Sequence, residues 1–246
     1  MPTVRIIGPG RAGGALAIAL AAAGWEVDEP IRRGDDLTLA AIGPDLLVIA
    51  TPDSAVSEVA AAVRPAPGTV VAHLAGSLGL DVLADHPHRA ALHPLVTIPT
   101  AQVGARRMAG AWFGVAASTP SAARLVDQTV ADLGARSIEV ADADRASYHA
   151  AACIASNHLV ALLAQVERVA GSVGVPLDAY LGLVRTSVDN VEAMGPAAAL
   201  TGPVARGDEA TVARHLASID PSERPGYEAM AAEARRLAAG RSGVAR

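Results

Sequence analysis

Aromatic residues are almost missing from this chain: one Phe, two Trp and three Tyr make up 2% of 246 residues. A core without large rings has to be filled by Ala, Val, Leu and Ile, which favours closely packed helices. The abundance of alanine also weakens helix assignment by propensity, because alanine is present everywhere. Cysteine occurs once, at Cys153, which excludes an internal disulfide and makes a reducing cytosol the simplest setting. Excess positive charge is missing too. The net charge of −5 argues against nonspecific binding to nucleic acid or an anionic membrane surface. No basic segment followed by a long apolar one appears near the start, so no signal peptide is expected. The apolar stretch from Ala12 to Gly24 is too short to span a bilayer. His, Cys and carboxylate spacings do not repeat, so no metal site is expected.

What is present is an alternation of strand and helix signals. TVRII, at 3–7, reads as a short buried strand, followed by a glycine turn and an alanine-rich helix that stops near Gly24. WEVDEPIRR reads as a second strand that Pro30 ends early or confines to a sheet edge. The apolar run 45–50 has the character of a strand covered on both faces. Thr51 then stands as a helix cap, with Pro52 at the first helical position. GTVVAHLAG, AALHPLV, AWFGVAAS and SIEVAD add strands, with a helix over 121–133 before the last. This predicts an α/β domain of Rossmann type, with a doubly wound, mostly parallel sheet, over residues 1–141. Beyond it, 144–171, 176–193, 207–218 and 222–239 read as helices, which makes residues 142–246 an all-helical second domain.

The stretch IIGPGRAGGALA places Gly8, Gly10 and Gly13 at G-x-G-x-x-G spacing between a strand and a helix. Gly8 permits the tight turn, Gly10 the approach of a pyrophosphate to the helix N-terminus, and Gly13 the helix–strand contact. Pro9, Arg11 and Ala12 complete the turn. A cation such as Arg11 is disfavoured at a helix N-terminus unless an anionic ligand lies there. Asp28 and Glu29 lie near the position at which an acidic residue holds the ribose of NAD. Arg32 and Arg33 follow at once, and suit the dianionic 2′-phosphate of NADP through forked hydrogen bonds. The expected cofactor is therefore NADP(H), held by the turn, by Arg32 and Arg33, and by Thr51 and Pro52 at the next strand end. An unliganded glycine turn and a solvated arginine pair are the alternatives.

RASYHAAACIASNHLVALL carries His149, Cys153, Ser156 and Asn157 at i, i+4, i+7 and i+8, positions that share one helical face. A histidine there could protonate a nascent alkoxide, since its pKa lies near neutrality. Asn157 could orient a hydroxyl or carboxylate, and Ser156 could touch substrate. The alternative is a helix–helix interface with a satisfied core histidine. Cys153 reads as packing rather than as a nucleophile. Ser77 in HLAGSLG and His93 in LHPL fall at strand ends, where ligands bind in such sheets. His86 and His88 read as surface residues. In ALTGPVARGDEATV, Asp208 is a helix cap, while Arg206 offers a fixed charge to a substrate carboxylate or to a structural ion pair.

GPGRAGGALA, LHPL, YHAAACIASNHLVAL and above all ALTGPVARGD span nearly the whole chain, and with them it resembles the Rossmann-like/DUF2520 proteins, relatives of the 6-phosphogluconate dehydrogenase superfamily. The resemblance implies an N-terminal dinucleotide-binding domain and a helical C-terminal domain that often helps form a dimer. Some members look like an alternative ketopantoate reductase, which reduces 2-dehydropantoate with NADPH in pantothenate synthesis. Set beside the better-known ketopantoate reductases, His149 stands where a substrate-site lysine would be, Cys153 replaces one asparagine and Asn157 matches another.

The expectation is an NADP-dependent oxidoreductase acting on a small 2-keto acid, with 2-dehydropantoate as its substrate. His149 serves as general acid, Asn157 orients, Arg206 binds carboxylate, and Ser77, His93 and Ser156 contact substrate. A cytoplasmic homodimer without nucleic-acid or membrane partners completes the expectation. An imine- or deazaflavin-linked reductase and an NADP-binding sensor without turnover are the alternatives, because fold alone does not separate them.

Overall fold

The computed structural model describes residues 1–83 and 85–243. They fall into two compact units, Met1–Ser156 and a second that begins at Asn157.

The first unit is built on a seven-stranded sheet. Its strands are β1 (Thr3–Ile7), β2 (Glu26–Val27), β3 (Leu46–Ile49), β4 (Val70–His73), β5 (Arg89–Pro94), β6 (Trp112–Ala117) and β7 (Arg136–Glu139), in the order β2-β1-β3-β4-β5-β6-β7. Neighbours are parallel except β5 and β6, which run antiparallel. β3 and β4 are buried at every residue, as strands covered on both faces must be. β2 is a short edge strand. Beyond Pro30 the pairing resumes only as a single bridge between Ile7 and Ile31. The chain leaves β1 toward β2 and then crosses back to β3 on β1's other side. The carboxyl ends of β1 and β3 thus form a topological switch point, the place where such sheets bind ligands.

Four helices cover the sheet: α1 (Arg11–Ala22), α2 (Val56–Ala62), α3 (Ala101–Met108) and α4 (Pro120–Asp132). One core layer gathers Leu16, Leu20, Phe113 and Val126, and the other Leu47, Ile49, Val56 and Leu83. Helices approach closely, as the scarcity of rings requires. A methyl on Gly104 of α3 would stand 2.9 Å from the Cβ of Ala15 in α1. Thr51 does not cap a helix. Pro52 precedes a 3₁₀ turn, Asp53–Ala55, with no side-chain cap, and α2 begins only at Val56. His86 and His88 also depart from expectation. His86 is 2% exposed with Nε2 3.1 Å from the Ala60 carbonyl oxygen, and His88 is half-buried against Thr119 and Ser121.

A 3₁₀ turn (Asp142–Asp144) leads into α5 (Arg145–Cys153), a π-helical segment (Ile154–His158) and α6 (Leu159–Gly171). The whole run Asp142–Gly171 is long and apolar enough to cross a membrane by length and composition. Its first turns are tied to the sheet instead, with Arg145 fully buried and Tyr148 bonded to His93. The second unit continues with α7 (Asp178–Ala199), broken at Gly195 with φ +77°, then α8 (Gly202–Ala205), α9 (Glu209–Ser218) and α10 (Arg224–Gly243). Arg168–Glu223 and Arg235–Glu209 ion pairs join its helices.

Gly13 lies in α1, where alanine would ordinarily add about 1 kcal/mol of helix stability. Here a methyl would meet the Gly8 carbonyl oxygen at 2.4 Å and the Ala50 Cβ at 2.8 Å. Gly13→Ala is therefore expected to lose about 1–3 kcal/mol in urea unfolding, whereas Gly10→Ala leaves stability within about 0.5 kcal/mol.

Candidate functional site

The turn after β1 is held by its own backbone. Gly8, at φ +87°, donates its N–H to the Ile31 carbonyl at 2.9 Å, and Gly10 donates to Gly8 at 2.8 Å. A side chain on Gly8 would collide with the backbone of Ala50 at 3.0 Å, so β1 and β3 end almost in contact. A methyl on Gly10, by contrast, would meet nothing within 4 Å. No side chain caps α1 at Gly10, which leaves its N-terminal end suited to an anion.

A cleft of about 790 Å³ opens at this switch point. Gly8, Pro9 and Gly10 line it from the turn, Arg32 and Arg33 from beyond β2, and Thr51 and Pro52 from the end of β3. Ile7, Leu37 and Val59 supply apolar wall, and Asp35 and Glu58 are the acidic residues of the lining. Asp35 accepts the Arg32 backbone N–H at 2.7 Å. Arg11 and Ala12 begin α1 and Gly13 packs inward, so these three expected residues stand outside the lining. Asp28 is committed to Arg5 at 2.6 Å, and neither it nor Glu29 faces the cleft.

A dinucleotide fits this cleft on two observations. The open face of Gly10 leaves room for a pyrophosphate against the backbone. The hydroxyl of Thr51, on the cleft wall, is buried with no hydrogen-bond partner, an arrangement that costs free energy until a ligand group or water meets it.

At the ends of β4 and β5 lies a cluster of rings. His93 Nδ1 and the Tyr148 hydroxyl are 2.8 Å apart, with the rings edge to face. The His149 ring stands 5.7 Å from that of His93, and its Nε2 is 3.9 Å from Cys153 Sγ. Glycines make the room. A methyl on Gly76 would meet His149 at 2.6 Å and His93 at 2.9 Å, and one on Gly114 would meet the Tyr148 hydroxyl at 2.3 Å. Ser77 ties this region to the turn after β3, donating to Asp53 at 3.3 Å.

Burial, with the charges of His149 and Arg145, pushes His93 down to about 4, while Asp53 opposes the shift. Burial raises the Tyr148 phenol. His73 is buried and lowered for the same reason, with Nε2 at 3.2 Å from the Gly79 carbonyl oxygen. Arg145 is fully buried, with Asp142 as its counter-charge at 3.5 Å.

The structure thus brings His93 and His149 together, with Ser77 bonded to Asp53 in the same unit. Ser156 lies in the π segment with its hydroxyl on the Ala152 carbonyl at 2.7 Å, so a continuous α-helical stripe from His149 to Asn157 is not formed. Asn157 and Arg206 belong to the second unit. Asp208 there is the helix cap expected of it, accepting from the Thr211 amide at 3.0 Å and hydroxyl at 2.7 Å. Tyr148, Gly76 and Gly114 escaped the sequence reading. The signal for Gly114 was a lone glycine inside a strand, which marks a close approach.

A doubly wound, mostly parallel α/β sheet with a cleft at its switch point, followed by a helical C-terminal region, defines the class of fold. The chain belongs to the family described as Domain of unknown function (DUF2520), whose model matches residues 111–234. No match was found among curated proteins. Several solved structures share the fold. A Bacteroides fragilis protein, provisionally named an NADP oxidoreductase, is 22% identical, with 96% of this chain and 98% of that one covered and a TM-score of 0.78. A reductive aminase from Aspergillus terreus, in complex with NADPH and ethyl-5-oxohexanoate, is 16% identical over 96% and 94%, with a TM-score of 0.68. Pyrroline carboxylate reductase from Plasmodium falciparum, with NADP bound, is 14% identical over 96% and 98%, with a TM-score of 0.63.

The depressed pKa of His93 has a consequence for stability. The unfolded chain takes up this proton near pH 6.5, the folded one only near pH 4, so stability present at neutral pH is lost as pH falls through that window. Urea unfolding at pH 7 and pH 4.5 should differ by about 2 kcal/mol from this group, and His93→Gln should remove that share of the difference.

Proposed function

We propose that the protein is an NADP(H)-dependent oxidoreductase that reduces the carbonyl of a small 2-keto acid, with 2-dehydropantoate as its substrate. The observation that carries the cofactor is the cleft at the switch point, where Gly10's open face, the unpartnered Thr51 hydroxyl and the Arg32–Arg33 pair meet. Arg32 and Arg33 hold the 2′-phosphate, and Asp28, tied to Arg5, does not compete for the ribose. When bound, reduced nicotinamide supplies a hydride. The side chains supply position and a proton.

His149 is the proton donor of this reading, beside a His93 that stays neutral and therefore offers a hydrogen bond rather than a charge. Ser77 and Ser156 are assigned to substrate contact. Asn157 and Arg206 are assigned on chemistry alone, an amide to orient oxygen and a guanidinium for carboxylate. Imine reduction is the second reading, favoured by the same fold in a reductive aminase and a pyrroline carboxylate reductase.

The assembly in this reading is a homodimer in the cytosol. Among the described residues of the second unit, the buried apolar ones are Ala170, Val212 and Ala231, while Val160, Leu183, Val188 and Met194 are exposed. Such an apolar surface calls for a covering partner, and a second copy of the helical unit offers a matching one.

Two measurements test the proposal. Calorimetry should show NADPH binding, and Arg32→Ala with Arg33→Ala should weaken NADPH by about 1–3 kcal/mol more than NADH. Equal losses would refute the 2′-phosphate role. Oxidation of NADPH, followed by absorbance across a panel of 2-keto acids and imines, should be fastest with 2-dehydropantoate. His149→Ala should cut turnover by about 10²–10⁴-fold with NADPH binding retained. Binding without turnover on any member of the panel would favour a sensor instead.

A further inference from the structure

We propose that Tyr148 is a positioning residue that fixes the tautomer of His93, so that His93 presents a permanent Nε2–H donor to an oxygen atom of the ligand. The geometry stands independently of the reductase reading. The assignment of the ligand oxygen to a substrate carbonyl or carboxylate rests on that reading.

The Tyr148 hydroxyl and His93 Nδ1 are 2.8 Å apart, a normal hydrogen-bond distance. Which group donates follows from their acidities. Burial keeps the phenol protonated and the imidazole neutral at physiological pH. Between a neutral phenol and a neutral imidazole, the phenol is the better donor and the bare ring nitrogen the better acceptor. Nδ1 therefore carries no proton, and the single ring proton sits on Nε2.

The surroundings reinforce that assignment. His149, Arg145 and His73 lie within electrostatic reach of His93 and disfavour its cationic form, and Asp53 opposes them. Protonation of Nδ1 as well would place a second cation in the range of Arg145. The backbone seats are equally specific. His93 and Gly114 are direct partners across β5 and β6, and any side chain at 114 would displace the phenol. Gly76 lies against the Cε1–Nε2 side of the ring, where its missing Cβ would stand 2.9 Å from both atoms. Gly114 thus leaves room for the phenol and Gly76 for the Cε1–Nε2 side of the ring, with Nδ1 turned to Tyr148 and Nε2 to the loop after β4.

A neutral donor of fixed direction selects its ligand. It favours a carbonyl or carboxylate oxygen and offers nothing to a protonated imine, whose nitrogen is itself a donor. Within the proposed function this separates keto acid from iminium substrate.

Long-range ¹H–¹⁵N spectra of the histidine rings in the ¹⁵N-labelled full chain read the tautomer directly, with His93→Gln identifying the His93 signals. The expected result between pH 6 and 8 is a protonated Nε2 and a bare Nδ1. A His93 protonated on Nδ1 would overturn the proposal, whether or not any variant folds. Tyr148→Phe should then turn His93 into a mixture of tautomers, and an unchanged Nε2–H form in a folded Tyr148→Phe would overturn it equally. If the chain reduces 2-keto acids, Tyr148→Phe should raise KM about tenfold with a smaller change in kcat. A pure loss of kcat would contradict the positioning role. Absence of turnover on every compound would defeat the reductase reading and leave the ring spectra to decide this one.

Discussion

A methyl group on Gly13 would stand 2.4 Å from the carbonyl oxygen of Gly8, and one on Gly8 would stand 3.0 Å from that of Ala50. These contacts are backbone to backbone and cannot be relieved by a rotamer change. They draw the turn after β1, the start of α1 and the end of β3 to one point. The sheet reverses its winding at that same point, so the loops on either side diverge and leave a cleft between them. The position of the arginine pair beyond β2 and of Thr51 beyond β3 follows from this approach, because both loops start from strands flanking β1.

The scarce rings are placed with a purpose that composition alone does not reveal. Tyr148 bonds to His93 and Tyr227 to His215, each pair edge to face. Among the described residues the core holds two large rings, Phe113 and Trp25, and is otherwise mainly aliphatic. Close helix approach through Gly and Ala substitutes for ring volume there, as between Gly104 and Ala15. In the first unit an aromatic side chain is thus spent on orienting a polar group as well as on filling space.

The parts of the fold that were legible in the residues are those governed by short-range rules. The fully buried runs of β3 and β4, the interruption of β2 by Pro30 and the helix stop before Gly24 all depend on neighbours in sequence. α3 was not foreseen, since AQVGARRM offers only Gly104 and Met108 to the core and reads as polar loop. The antiparallel turn of β6 was equally hidden, because strand direction is set by the connection and not by the residues of the strand. Thr51 looked like a cap and is an unpartnered hydroxyl on the cleft wall. Pro52 can start a helical turn without it, which leaves the side chain to the ligand side. Tyr148 was missed for a geometric reason. One residue before His149, it lies about 100° around the helix and so falls off the polar face that His149 and Cys153 share.

That displacement of Tyr148 around α5 is what lets one helix serve the two histidines differently. Tyr148 reaches the strand-end ring of His93 while His149 stands against the same ring from another side. The chain contains no lysine at all, so no ammonium is available to polarise a carbonyl in the first unit. Arg145, the cation buried beside the cluster, is paired with Asp142 and acts at a distance, adding to the burial that keeps His93 uncharged. Under the reductase reading, a carbonyl here is polarised by oriented neutral donors, with one histidine left to deliver the proton. Such an arrangement draws its strength from exclusion of water and fixed direction rather than from net charge. The two glycine seats at 76 and 114 matter for that reason: a donor that is neutral has only its orientation to offer.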